Sequence, residues 1–100
     1  MRMTTSTLRV LEVMLARRGE EHYGYELLKA TGLKGGSLYP ILQRLEEARW
    51  IDGHWQQATT NGRPPRRFYR LTRLGVTSAE SALEKTREHL RLPLALGVEL

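Results

Sequence analysis

Five arginines lie close together in one part of the chain, where they could bind a polyanion. The window 56–75 contains them and holds no acidic residue, so its charge of +5 equals the formal net charge of the whole chain. The five are Arg63, Arg66, Arg67, Arg70 and Arg73. A local cationic cluster of this kind is typical of nucleic-acid sites, and a solvated basic loop is the alternative with the same composition.

Turn chemistry in the same window predicts that these arginines lie on a hairpin. An Asn-Gly pair and a Pro-Pro pair interrupt two stretches with strand character, 50–56 and 68–71. We expect Arg63 at the extended tip to enter a narrow minor groove, whose negative potential attracts arginine. Arg66 and Arg67 are expected to bind phosphates.

A second candidate surface lies on a helix just before this hairpin. Leucine and isoleucine repeat at helical spacing over 38–45, which predicts a helix with Ser37 as its N-cap and Pro40 in its first turn. The opposite face carries side chains that can hydrogen-bond bases or phosphates: Ser37, Tyr39, Gln43 and Arg44. Glutamine can pair with adenine and arginine with guanine. An ordinary amphipathic helix is the alternative, and the adjacent basic hairpin favours nucleic-acid binding.

The elements before this helix complete a helix-turn-helix. A first helix is predicted from Leu8 to the charged stretch after residue 16, and a second over 24–31 that ends at Gly32. Two short helices joined by a glycine-bearing turn are typical of a helix-turn-helix, and the hairpin behind them is then a wing. Tyr25 is predicted either to contact a phosphate or to pack against the wing, and Lys34 in the turn is within reach of a phosphate.

Apolar residues near both ends of the chain predict a dimer surface. The last helix is expected to start at Thr72 and to end at Pro93, and its seam repeats every three or four residues. The seam is Val76, Ala79, Leu83, Thr86 and Leu90. The first helix is apolar on two faces, one of them formed by Val10, Val13 and Met14, which is typical of a helix packed between two others.

These patterns predict a mainly α-helical fold with a small β-hairpin. The expected parts are a winged helix-turn-helix DNA-binding domain over residues 1–71, a dimerisation helix over 72–92 and a tail over 93–100. Trp50 and Trp55 are expected to pack in the core beside the wing.

Several function classes find no support in the sequence. The chain has no cysteine and its three histidines are far apart, so a metal site is not expected. No motif predicts a catalytic site or a cofactor, and we expect a protein that is not an enzyme. No apolar run is long enough for a membrane span or a signal peptide, so a cytoplasmic location without membrane contact is expected.

Three segments together resemble the PadR family of transcriptional regulators. They read YGYEL over 23–27, GSLYPILQRLE over 36–46 and GRPPRRFYRLT over 62–72. The resemblance implies a homodimer that binds specific sequences of double-stranded DNA and represses a nearby promoter. For such a dimer we expect a near-palindromic operator, because its two recognition helices would lie about one DNA turn apart. It also implies that Ser37, Tyr39, Arg63 and Arg66 face the DNA.

The single helix after the wing resembles the family members with a short C-terminal part. Some members bind flat hydrophobic compounds in a pore lined by aromatic residues of the last helix, but residues 72–100 contain no Trp, Tyr or Phe. The sequence identifies no small-molecule effector. Two other functions remain open here: a winged-helix module that binds a protein partner, and an RNA-binding domain.

Overall fold

The part of the chain that the structure describes folds into four helices and a small sheet. The computed structural model describes residues 2–57, 62 and 64–98, with side chains up to residue 88. The elements are α1 (Thr5–Ala16), β1 (His22–Tyr23), α2 (Gly24–Thr31), α3 (Gly35–Glu47), β2 (Ile51–Trp55), β3 (Arg67–Leu71) and α4 (Arg73–Val98). The predicted mainly helical winged helix-turn-helix is confirmed, with β1 as an addition to the expected elements.

Local signals explain where the first two helices begin and end. The Thr4 hydroxyl accepts a hydrogen bond from the Thr7 backbone N–H at 3.1 Å, which caps the start of α1. The helix α2 has the predicted bounds, since Gly32 adopts the left-handed backbone (φ 73°) that ends it. The Glu26 carboxylate accepts a hydrogen bond from the Tyr23 backbone N–H at 3.2 Å, so it caps the first turn of α2.

The helix α3 starts earlier than predicted. Its N-cap is Lys34 rather than Ser37, because the Ser37 backbone N–H already donates to the Lys34 carbonyl at 2.9 Å. Pro40 is consequently the sixth residue of α3 and does not lie in the first turn. The helix therefore lacks one backbone hydrogen bond at Pro40.

The sheet is antiparallel with the strand order β1-β3-β2. The hairpin of β2 and β3 pairs Ile51 with Leu71 and Trp55 with Arg67 at its two ends. The unpredicted strand β1 pairs with the other edge of β3, where His22 lies opposite Tyr69. Two residues are too short to show a hydrophobic period, so only this tertiary pairing reveals β1.

Alternation along the strands gives the sheet two different faces. The inner face packs towards the helices and consists of His22, Ile51, Gly53, Trp55, Arg67, Tyr69 and Leu71. The outer face consists of Tyr23, Asp52, His54, Phe68 and Arg70. Ile51, Tyr69 and Leu71 join the main hydrophobic core, whereas Phe68 is covered by an edge-on Tyr23 ring and by His54.

The core lies between α1 and the other elements. It contains Val10, Leu11, Met14, Leu27, Leu38, Ile41, Leu42, Leu45, Ile51, Tyr69, Leu71 and Ala79. Trp50 packs against this core as expected. The same expectation is wrong for Trp55 at the end of β2, whose side chain is 64% exposed.

The long helix α4 follows directly from the sheet. The Thr72 hydroxyl accepts a hydrogen bond from the Gly75 backbone N–H at 2.9 Å and donates to the Arg49 carbonyl at 2.7 Å. This links the start of α4 to the turn before β2. The helix continues through Pro93 to Val98, so the expectation that Pro93 ends it is wrong. A proline removes one backbone hydrogen bond, and the helix persists across that gap.

Candidate nucleic-acid interface

One face of α3 is exposed and rich in hydrogen-bonding groups. Its apolar residues Leu38, Ile41, Leu42 and Leu45 are buried. The predicted polar residues are all exposed: Ser37, Tyr39, Gln43 and Arg44. The side chain of Gln43 donates to the Glu47 carboxylate at 3.3 Å, an exposed contact within the helix that a base could replace.

Tyr39 also connects the two helices of the helix-turn-helix. Its ring lies against Gly24, where a Cβ atom would be only 2.7 Å from the Tyr39 hydroxyl oxygen. Glycine at the start of α2 therefore allows this close approach. The side chain of Tyr39 remains partly exposed, so Tyr39 packs against α2 without being buried by it.

The residues predicted to reach phosphates flank this turn. Tyr25, at the start of α2, is largely exposed, and the Lys29 ammonium lies 5.2 Å from its ring centroid. Of its two predicted roles, this exposure favours the phosphate contact over packing against the wing. Lys34 is exposed at the N-cap of α3, where a cationic side chain stands beside free backbone N–H groups.

The wing arginines occupy different environments. Arg66 is exposed, and its guanidinium carbon lies 4.2 Å from the centroid of the Tyr23 ring. Arg63 lies outside the described residues. Arg70 is on the outer face of the sheet, where its guanidinium binds the Glu21 carboxylate at 2.8 Å.

The side chain of Arg67 is only 30% exposed, and its charge is paired. Its Nη2 atom donates to the Glu46 carboxylate of α3 at 2.8 Å, and its guanidinium lies over the rings of Trp55 (5.4 Å) and Tyr69 (5.8 Å). The sequence predicts that Arg67 binds a phosphate, but it does not indicate that the Glu46 carboxylate already pairs with this charge. Burial raises the pKa of the Tyr69 hydroxyl, and the nearby Arg67 charge acts in the opposite direction.

The residues predicted for a dimer surface fall into two groups. Val10, Met14 and Ala79 have no exposed surface, because they belong to the hydrophobic core of a single chain. Val13, Val76, Leu83 and Thr86 retain exposed surface. The side chain of Leu90 lies outside the described part of α4.

A groove of about 420 Å³ runs between α1 and α4. Leu8 and Leu83 line it together with the charged residues Arg9, Glu12 and Arg87. It continues past Leu15 towards the end of α1.

Other kinds of site are not evident in the described residues. In this part of the chain, no group of three or more His, Asp or Glu side chains could hold a metal ion. No described helix is both long enough and apolar enough to cross a membrane.

The fold and the exposed α3 face define a winged-helix DNA-binding transcription regulator. Residues 10–81 match the family model of the "Transcriptional regulator PadR-like family". The chain belongs to this family.

Solved structures agree with this assignment. A PadR-like transcriptional regulator from Bacillus cereus shares 27% identity, covers 90% of this chain and 88% of its own, and has a TM-score of 0.70. A PadR-like transcription factor from Bacteroides fragilis also shares 27% identity, with 90% and 89% coverage and a TM-score of 0.67. A PadR family regulator from Clostridium difficile is similar in fold, with 22% identity, 93% and 98% coverage and a TM-score of 0.76. Comparison with curated protein sequences gave no match.

Proposed function

We propose that this chain is a homodimeric, sequence-specific repressor that reads the major groove with α3 and the minor groove with its wing. The observation that carries this proposal is the exposed hydrogen-bonding face of α3 beside a basic wing. Because Arg67 of β3 bonds to Glu46 of α3, the base of the wing lies beside the last turn of α3. One stretch of DNA can therefore meet both.

Each exposed side chain has a role that fits its chemistry. Gln43 and Arg44 offer the donor and acceptor groups that recognise adenine and guanine edges in the major groove. Ser37 and Tyr39 lie in the first turns of α3, where residues of a recognition helix meet the DNA. We propose three residues as phosphate ligands: Tyr25, Lys34 and Arg66. Arg63 is proposed, from the sequence alone, to enter the minor groove.

A second copy of the chain is proposed to cover the groove between α1 and α4. Its lining leucines, Leu8, Leu15 and Leu83, would be buried by an isologous contact. In such a dimer we expect two α3 helices ~34–36 Å apart, which suits two half-sites one DNA turn apart.

The dimer can be tested by placing a charge in this groove. Leu83→Asp should give monomers in sedimentation, because an unpaired carboxylate cannot be buried at an apolar contact. Ser81→Asp is the control, since Ser81 is exposed on the same helix. A Leu83→Asp protein that remains dimeric would place the interface elsewhere.

Sequence-specific binding can be tested by fluorescence anisotropy with the DNA upstream of the protein's own coding region. A random duplex of equal length is the control, and both are measured over a salt series. Binding to the upstream duplex should be tighter and should persist near physiological salt. If both duplexes bind equally and this binding disappears as salt is added, the upstream duplex does not contain the operator.

The wing can be tested at Arg66. Arg66→Ala should weaken binding to every duplex and reduce the salt slope by about 0.9, the value for one lost phosphate contact. Arg70→Ala is the matched control, because it removes an arginine whose charge is already paired with the Glu21 carboxylate. An unchanged salt slope in Arg66→Ala would remove this residue from the interface.

Duplex RNA as a competitor distinguishes DNA from RNA binding. The major groove of A-form RNA is too deep and narrow for α3, so duplex RNA should compete poorly. Repression itself predicts that deletion of the gene raises expression from a reporter under its own promoter. The protein is proposed to act in the cytoplasm without a cofactor.

A further inference from the structure

We infer that Glu46 and Arg67 form a brace that holds the wing at a fixed position relative to α3. In this inference, Arg67 is a positioning residue for sequence recognition and is not a phosphate ligand. The inference rests on the proposed function, because it concerns how two DNA-binding elements are held in register.

The geometry of Arg67 is that of a side chain held on several sides. Its Nη2 atom lies 2.8 Å from the Glu46 carboxylate, and its guanidinium lies over the rings of Trp55 and Tyr69. An ion pair that is also stacked on aromatic rings restricts the planar guanidinium more than charge alone would. The last full turn of α3 is thereby tied to both wing strands.

Gly53 provides the space that this ion pair occupies. A Cβ atom at Gly53 would lie 2.7 Å from the Arg67 Nη2 atom and 3.0 Å from both Glu46 carboxylate oxygens. The ion pair therefore crosses β2 directly over a residue without a side chain. Any larger residue at position 53 must displace the ends of both charged side chains.

The paired charge also makes Arg67 unsuited to binding phosphate. To reach a phosphate, Arg67 would leave Glu46 as an unpaired carboxylate close to a polyanion, which is unfavourable. Its neighbour Arg66 has no carboxylate partner among the described residues, and its guanidinium rests on the Tyr23 ring. The two adjacent arginines are thus expected to differ in what they do for DNA binding.

A brace affects specificity more than it affects general affinity. Phosphate contacts are largely independent of sequence, whereas base contacts need correct placement of the reading elements. If the wing moves relative to α3, nonspecific DNA still binds the positive surface. An operator loses binding energy, because its major-groove and minor-groove contacts no longer form together.

The first test compares the two adjacent arginines on two probes. The probes are a duplex selected from a randomised pool by the wild-type protein and a random duplex of equal length. Arg67→Ala should weaken binding to the selected duplex about tenfold, as for the loss of one charge-assisted hydrogen bond, with little change on the random duplex or in the salt slope. Arg66→Ala should weaken both and flatten the slope.

The second test removes the carboxylate without changing its shape. Glu46→Gln should reduce the preference for the selected duplex as Arg67→Ala does, and the double variant should be no worse than either single variant. Asp52→Asn on the outer face removes an equal charge and should leave the preference unchanged. Arg67→Lys should also lose the preference for the selected duplex, because the lysine ammonium lacks the planar, forked set of donors of a guanidinium.

The third test displaces the brace while every charge remains. Gly53→Ala should reduce the preference for the selected duplex without changing the salt slope. The atoms that the new methyl group meets are the far ends of flexible side chains, so the protein should still fold. A circular dichroism melt of the variant checks this.

A measurement without DNA tests the brace independently of the proposed function. Fluorine NMR of fluorotryptophan-labelled protein should show a shifted Trp55 signal in Arg67→Ala, Glu46→Gln and Gly53→Ala. The Trp50 signal is the internal reference, and Arg66→Ala is the control. If Trp55 shifts in none of the three, the brace does not exist in solution.

Two DNA-binding results would overturn the inference. Arg67→Ala could weaken both duplexes equally and reduce the salt slope by about 0.9, which would make Arg67 a phosphate ligand. Glu46→Gln could instead strengthen binding to both duplexes, which would mean that Glu46 merely withholds Arg67 from DNA. A wild-type protein that prefers no duplex contradicts the proposed function, and the fluorine signals still decide whether the brace exists.

Discussion

The inner and outer faces of the small sheet each carry an arginine–glutamate pair with the same 2.8 Å contact. On the inner face, Arg67 bonds to Glu46, and the side chains are 30% and 36% exposed. On the outer face, Arg70 bonds to Glu21, and the side chains are 49% and 38% exposed. The two arginines are three residues apart on one strand, so alternation alone sends them to opposite faces.

The difference lies in what each pair connects. The inner pair joins the wing to α3, which is a separate helix and the proposed reading element. The outer pair joins β3 to the residue just before its neighbouring strand β1, where His54 also lies 3.5 Å from Glu21. Equal contact distances therefore do not imply equal roles, because only the inner pair links two elements of the proposed DNA-binding surface.

The largest expected effect comes from the apolar end of the inner face. Ile51→Ala should lower the free energy of unfolding by about 2–4 kcal/mol, because Ile51 is fully buried and its removal leaves a cavity. The adjacent Asp52→Ala on the outer face should change it by less than about 0.5 kcal/mol. Urea unfolding of both variants makes the comparison, and equal losses would mean that the two faces do not differ in burial.

A pH titration examines the buried histidine of the inner face. Burial lowers the pKa of the His22 imidazole below its usual 6.5, and the nearby Arg17 charge acts in the same direction. The Arg17 backbone carbonyl and the carboxylates of Glu20 and Glu26 oppose this shift. Well above pH 6.5, His22 is neutral in both the folded and the unfolded state and has no linkage effect.

As the pH falls below this value, protonation of the unfolded chain favours unfolding. The free energy of unfolding should therefore decrease until the pH passes the lower pKa of the folded state. His22→Gln should reduce this acid-dependent loss, as measured by urea unfolding over a pH series. An identical pH dependence in the wild type and the variant would show that His22 is not the group responsible.

Features encoded by neighbouring residues were predicted well from the sequence. The bounds of α2 follow from a local signal, the glycine that ends it, and the buried face of α3 follows from its helical period. Errors arose where two local signals competed. Ser37 has the chemistry of an N-cap, yet the helix starts three residues after Gly32 with Lys34 as the cap. Pro93 is a frequent helix terminator, yet α4 continues beyond it.

Features that depend on tertiary contacts could not be read from the sequence. Arg67 belongs to a basic run, and its spacing says nothing of a partner 21 residues earlier on α3. The one sequence signal for this contact is Gly53, because an isolated glycine inside a strand often marks a place where another group approaches the backbone closely. The exposure of Trp55 likewise depends on tertiary packing, which its place in the strand does not reveal.

Double-mutant cycles can measure the difference between the two ion pairs directly. The inner cycle uses Glu46→Ala, Arg67→Ala and the double variant, with unfolding free energies measured in urea. We expect a coupling energy of about 1–2 kcal/mol, because the contact is a charge-assisted hydrogen bond that is partly shielded and stacked on aromatic rings. Additive losses would show that Glu46 and Arg67 stabilise the fold independently of each other.

The outer cycle should give the smallest effect. Glu21→Ala, Arg70→Ala and their double variant are expected to show a coupling of about 0–0.5 kcal/mol, because solvent screens an exposed pair and ordering two long side chains costs entropy. Added salt should reduce this value further, and it should reduce the inner coupling less. An outer coupling as large as the inner one would mean that exposure does not distinguish the pairs. The inner pair's special role would then depend solely on its attachment to α3, which the DNA preference of Gly53→Ala measures without removing any charge.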